Sequence, residues 1–141
     1  MRALRAGKES YAIVGATLRA FATSRHEEVI PIYRMLATSI DALRQRAQDL
    51  IRGTNCQIID SQCALGGGTT PTETIPSIAI AVPGEAGALY ERFLRMPTPI
   101  VGRIVEDRFT LETRTLSESD LRTVAAALRM QGPASAGLLT G

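Results

Sequence analysis

The sequence has no tryptophan and only three tyrosines and three phenylalanines, so aromatics make up 4% of its 141 residues. That removes the stacking platforms on which single-stranded nucleic-acid binders rely. Net charge is +2, from 16 basic and 14 acidic residues. This is too balanced for a domain held to nucleic acid by its overall field. Lys8 is the one lysine, the other basic residues being arginine. A polylysine membrane patch is excluded, and a single amine is available for a Schiff base.

Cys56 and Cys63 are the two cysteines and His26 is the one histidine. A structural zinc site takes three or four ligands at recognisable spacing, which this set does not supply. The first residues, MRALRAGKES, lack the apolar stretch of a signal peptide. No run approaches the ~18–20 apolar residues of a membrane span. The expectation is a cytoplasmic protein whose two cysteines are reduced, buried thiols rather than a disulfide.

What is present is globular, with 45% hydrophobic and 21% charged residues. That composition predicts one domain over 1–133 and a disordered tail over 134–141, where the residues are small and polar. Tyr11, Val14, Leu18 and Phe21 repeat at helical spacing and predict a helix over 8–23. Ser24 and Glu27 have capping-box spacing. Tyr33, Leu36, Ile40, Leu43, Ala47 and Leu50 form one seam, predicting a second helix over 31–52 with Pro31 in its first turn. Gly53-Thr54-Asn55 stops it.

From Cys56 onward the period changes. Strands are predicted over 56–63 and 77–82, joined by the Gly/Thr/Pro segment 65–76. A short helix follows over 85–95. A hairpin over 100–105 and 108–115 turns at Glu106-Asp107. A helix over 117–130 is capped by Ser117. The order ααβ(loop)βαββα predicts an α/β (α+β) fold: a small mixed, mainly antiparallel sheet with helices on one face.

Few residues carry the chemistry of a site. Gly66, Gly67 and Gly68, followed by Thr69, can bring backbone N–H groups close to an anion. The segment equally reads as a plain strand connector, and it lacks the Lys-Ser/Thr of a P-loop. Arg2 and Arg5 lie one helical turn apart, a spacing that aims two guanidinium groups at one phosphate or carboxylate. The competing reading is a solvated basic terminus. Lys8 is expected to be exposed, His26 to sit at a cap or on the surface, and Arg103, Asp107 and Arg108 to be solvated turn charges. No triad, carboxylate pair or metal cage emerges.

Four segments in order, RALRAGK, IPIYRML, GGGTTPTETIPS and PTPIVGRIVEDRFTLETRTLSESD, resemble the C-terminal part of the bacterial L-seryl-tRNA(Sec) selenium transferases, over about Arg2 to Arg129. The resemblance implies the C-terminal small domain of a fold-type I, aspartate-aminotransferase-like pyridoxal phosphate enzyme. The complete enzyme of that family converts seryl-tRNA(Sec) to selenocysteinyl-tRNA(Sec) with selenophosphate, through an aminoacrylyl intermediate on the cofactor, and is a homo-oligomer.

By the same resemblance, Arg2 and Arg5 match paired arginines that bind the anionic selenium donor. Gly66, Gly67, Gly68 and Thr69 match a loop facing the active site. Thr69 keeps a hydroxyl where the family form has Ser, whereas Thr70 replaces a Leu. Lys8 matches a position after the arginines and not the cofactor lysine, which belongs to a large domain that this sequence does not include. The resemblance therefore implies no catalytic residue in this chain, and that the chain alone binds no pyridoxal phosphate and is inactive. Two rival readings are the small domain of a related pyridoxal phosphate lyase and a stand-alone dimerisation or interaction domain.

Overall fold

The computed structural model describes residues 6–64 and 74–131. Arg2, Arg5, Gly66, Gly67, Gly68, Thr69 and the tail from Ala134 lie outside the described residues. The chain divides into two compact units, Met1–Thr38 and Ser39–Gly141, where composition alone suggests one domain through 133.

The first unit contains α1 (Lys8–Ala22), α2 (His26–Val29) and α3 (Pro31–Ala37). Ser24 does not form the expected capping box. It sits in the left-handed region (φ 54°) and closes α1 instead. Its N–H donates to the Phe21 carbonyl, and the Arg25 N–H donates to that of Ala20. This pairing satisfies the last carbonyls of a helix when the residue after the cap turns left-handed. His26 then opens α2 without capping it, its ring stacked on Phe21 at 4.7 Å and edge-on to Tyr33 at 5.4 Å. Ala20 is the one buried residue of α1, and Tyr11, Val14 and Leu18 are 56–68% exposed.

The predicted helix over 31–52 is two helices. Thr38 and Ser39 are extended (ψ 122° and 157°) between α3 and α4 (Ile40–Ile51). The Thr38 hydroxyl donates back to the Arg34 carbonyl, and the Ser39 hydroxyl accepts the Ala42 N–H. Short polar side chains compete in this way for backbone bonds and restart a helix rather than continue it. The apolar seam runs straight across the break, which is why periodicity alone does not reveal it.

The second unit is a sheet with helices on one face, and all three pairings are antiparallel. The strands β1 (Gln57–Ala64), β2 (Thr74–Val82), β3 (Arg103–Val105) and β4 (Arg108–Glu112) lie in the order β1-β2-β4-β3. Ile78, Ile80 and Val82 alternate toward one face and meet Leu43, Ala47 and Leu50 of α4 in a single core. Leu89 and Phe93 of α5 (Ala86–Leu94) and Val124 and Leu128 of α6 (Glu118–Arg129) complete it with Phe109 and Leu111. Gly102 is required by this packing, since a Cβ there would stand 2.5 Å from the Phe109 ring.

Strand β2 starts three residues earlier than the sequence suggests and contains Pro76. The Thr113 N–H donates to the Ile78 carbonyl, so Ile78 turns its backbone groups toward β4. By the alternation of a strand, Pro76 faces the same way and Ser77 faces β1. The missing N–H of Pro76 therefore breaks no β1–β2 bond, and its carbonyl is taken by Arg114 Nη2 at 2.8 Å.

Two helix starts are tied by carboxylates. Glu85 accepts from the Ala88 and Gly87 N–H groups, and these bonds hold its carboxyl below the ordinary range. Asp120 accepts from the Ser117 hydroxyl and N–H, with the same effect on its own carboxyl.

The hairpin turn is where the sequence placed it. Glu106 (φ 49°) and Asp107 (φ 57°) are both left-handed, as a two-residue primed turn demands. Neither is glycine, so the turn carries backbone cost. Asp107→Gly is expected to raise stability by about 0.5 kcal/mol or more, seen as a higher denaturant midpoint with an unchanged slope.

Candidate functional site

The register Ala64↔Thr74 makes segment 65–73 the connection between β1 and β2. The sheet face opposite the helices carries Ser61 and Cys63 of β1, Ser77 and Ala79 of β2, Glu112 of β4 and Arg103 of β3. Ala79 stands directly opposite Glu112, and Ser61 opposite Ser77. Strand alternation alone thus gathers these polar side chains beside the roots of the glycine-bearing connection.

Glu112 is the hub. Its side chain is 9% exposed. Its Oε2 accepts from Ser61 Oγ (3.0 Å), Ser77 Oγ (3.0 Å) and Cys63 Sγ (3.2 Å). Its Oε1 accepts from Arg103 Nη2. One carboxylate therefore ties all four strands together, with its charge answered by a guanidinium and three further donors. An open groove of about 330 Å³ adjoins it, lined by Cys63, Val101, Arg103, Thr110, Glu112 and Leu116 among others.

The thiols do not pair. Cys56 belongs to the core beneath the helix-covered face, while Cys63 points to the opposite face beside Glu112. Seven residues of extended chain separate them by roughly 23 Å, far beyond disulfide reach, and both are free. Burial pushes both thiols above the ordinary cysteine value, and the neighbouring Glu112 adds to this at Cys63.

Of the other sequence candidates, Lys8 is exposed in the first turn of α1. Arg108 pairs with Glu106 at 2.9 Å beside the hairpin turn. Arg103, expected to be a solvated turn charge, instead joins the Glu112 hub. His26 is not a cap: its Nδ1 is buried without a hydrogen bond inside an aromatic cluster. Glu112 itself has no local sequence signature, because its partners come from residues 9 to 51 positions away. Only the strand register could have found it.

A pyridoxal phosphate group needs an enclosed amine for its imine. The chain's single lysine is solvent-facing, so the described residues do not fit that cofactor. Among the described residues, no set of three or more His, Cys, Asp or Glu side chains could hold a metal ion, and no helix is long and apolar enough to cross a membrane.

Comparison with known proteins gives this architecture its context. The chain is 34% identical over 141 residues to the L-seryl-tRNA(Sec) selenium transferase of Geobacter sulfurreducens. It is 32% identical over 135 residues to that of Sulfurimonas denitrificans. In each case the match covers 92% of this chain and 30% of the relative. The Aquifex aeolicus enzyme is 34% identical over 137 residues, covering 91% of this chain and again 30% of that protein. The chain thus spans about a third of the length of the curated relatives it matches. The family profile described as L-seryl-tRNA selenium transferase (SelA) matches residues 1–117, and the chain belongs to that family.

Proposed function

We propose that this chain is the C-terminal part of a longer cytoplasmic selenium transferase that converts seryl-tRNA(Sec) to selenocysteinyl-tRNA(Sec) with selenophosphate. The observation that carries the reading is the family match over residues 1–117. In the complete enzyme, pyridoxal phosphate supplies the electron sink for replacing a serine hydroxyl by selenium, and a lysine outside this chain holds it.

This chain's own contribution is binding and positioning. Arg2 and Arg5 bind the anionic selenium donor as planar, permanently charged forks. Gly66, Gly67, Gly68 and Thr69 face the transfer site from the β1–β2 connection, and Glu112 fixes the roots of that connection. Tyr11, Val14, Leu18 and Phe21, exposed along α1, seat against the large domain. The apolar side of α4 needs no such cover, since Leu43, Ala47 and Leu50 are already in the core of the sheet unit. Alone, the chain binds no pyridoxal phosphate.

The test is a kinetic one on the complete protein. Losing a charge-assisted contact costs roughly 1.5–3 kcal/mol, or about tenfold to over a hundredfold in affinity. Arg2→Ala and Arg5→Ala are each expected to raise the KM for selenophosphate about tenfold or more, with seryl-tRNA affinity unchanged. An unchanged selenophosphate KM in both variants would contradict the assignment of the arginines.

A further inference from the structure

Helices α4 and α6 pack against each other over the sheet and border an open groove of about 450 Å³. Its apolar floor is Leu50 of α4 with Leu121 and Ala125 of α6. Leu50 is buried and the other two are half-buried. Its charged walls are Arg46 and Asp49 of α4 and Arg122 and Arg129 of α6. The two α4 charges are already engaged. Arg46 donates to the Thr113 and Leu116 carbonyls and pairs with Glu118. Asp49 pairs with Arg52 at 2.9 Å. Arg122 and Arg129 are exposed and hold no ion pair among the described residues. The acids of α6, Glu118 and Asp120, lie in its first turn, and no acid follows them in the helix.

Arg122 and Arg129 are seven residues apart, which puts them on one row of the helix, roughly 10.5 Å apart along its axis. Leu121 and Ala125 lie beside that row. An amphipathic helix with acids seven residues apart repeats the same spacing, and an apolar stripe beside its acids would cover the aliphatic floor. We propose that this groove docks such an acidic amphipathic helix from a partner protein. The charge complementarity is specific to α6, because the groove's other charges are satisfied within the chain. Nucleic acid fits the groove less well. No aromatic ring lines it for a base to stack on, and a phosphate backbone would leave its aliphatic floor uncovered. The proposal is independent of the transfer chemistry.

The test uses a fluorescently labelled synthetic helix of about 21 residues, long enough to hold its shape in water. It carries Glu at every seventh position, Leu three and six places after each Glu, and Ala or Gln elsewhere. Fluorescence anisotropy should show saturable binding to the 141-residue chain that weakens as salt is added. Exposed ion pairs are individually weak, but reversing both charges replaces attraction with repulsion. Arg122→Glu combined with Arg129→Glu should therefore raise the dissociation constant about tenfold or more. A peptide with Lys in place of Glu should bind that variant more tightly than wild type. A peptide with Gln in place of Leu should bind wild type more weakly by a similar factor, since it leaves the floor uncovered. Absence of saturable binding overturns the proposal. So does binding that the double charge reversal leaves unchanged, as attachment to the exposed face of α1 would give. Equal binding of the Gln peptide would also overturn it, because charge alone would then explain the affinity. An RNA duplex that binds more tightly than the Glu peptide, and loses affinity in the same variant, would assign the two arginines to a phosphate backbone instead.

Discussion

Phe109→Ala is expected to cost about 3–5 kcal/mol, the range for deleting a fully buried phenyl ring. Phe109 is wholly buried and sits 4.9 Å from the Phe93 ring and 6.4 Å from that of Tyr90. It links α5 to the sheet, and Gly102 leaves room for it. Collapse around the void is limited, because Ile80, Leu111 and Phe93 are themselves almost fully buried and held by their own neighbours. For a unit of about 100 residues, such a loss lowers Tm by roughly 12 °C or more. Thermal unfolding followed by circular dichroism measures it. A Tm shift of only a few degrees would mean that the α5 layer does not pack on the sheet as described.

Glu112→Ala should be the next most damaging of these changes, at about 2–3 kcal/mol. It strands two hydroxyls and a thiol on a part-buried face and leaves Arg103 without its carboxylate. Arg103 is half exposed and can turn to water, which keeps the loss below that of a fully buried ion pair. Glu112→Gln should cost less. The Ser61 and Ser77 hydroxyls can rotate to accept from an amide, so the main loss is the charge facing Arg103. Chemical denaturation of the three proteins should therefore give the order wild type, Gln, Ala. Equal stability of the Gln and Ala variants would mean that the hub works through its charge alone.

These two residues differ in how far the sequence discloses them. Phe109 is legible: it alternates with Leu111 in a strand next to an obvious turn. Glu112 is one residue beyond Leu111 and reads as the solvent-facing half of that alternation. Its burial arises because Ala79 lies opposite it, and a small side chain in the central strand leaves space for a carboxylate to lie across the sheet. The helix over 118–129 was legible for a local reason, the Ser117–Asp120 pair. The break before α4 was also written locally, in Thr38-Ser39 with Asp41 in the following turn, but the continuous apolar seam masks it. His26 was not legible, because its surroundings depend on how α1 ends, and that rests on a left-handed serine.

The candidate binding residues rest on the sequence alone. Arg2, Arg5 and the glycine connection were singled out by spacing and by family resemblance, and they lie outside the described residues. What the structure adds is the scaffold at the roots of the connection: Cys63, Ser77, Arg103 and Glu112 on one sheet face. The family match over residues 1–117 places that scaffold in a member of the L-seryl-tRNA selenium transferase family.

The most direct test of the central claim is an in vitro assay of selenocysteinyl-tRNA(Sec) formation from seryl-tRNA(Sec) and selenophosphate. It should be run on the complete reading frame containing this chain and, in parallel, on the 141 residues alone. The complete protein should form the product and the 141-residue chain none. Product from the short chain, or none from a complete, folded and cofactor-loaded protein, would contradict the account.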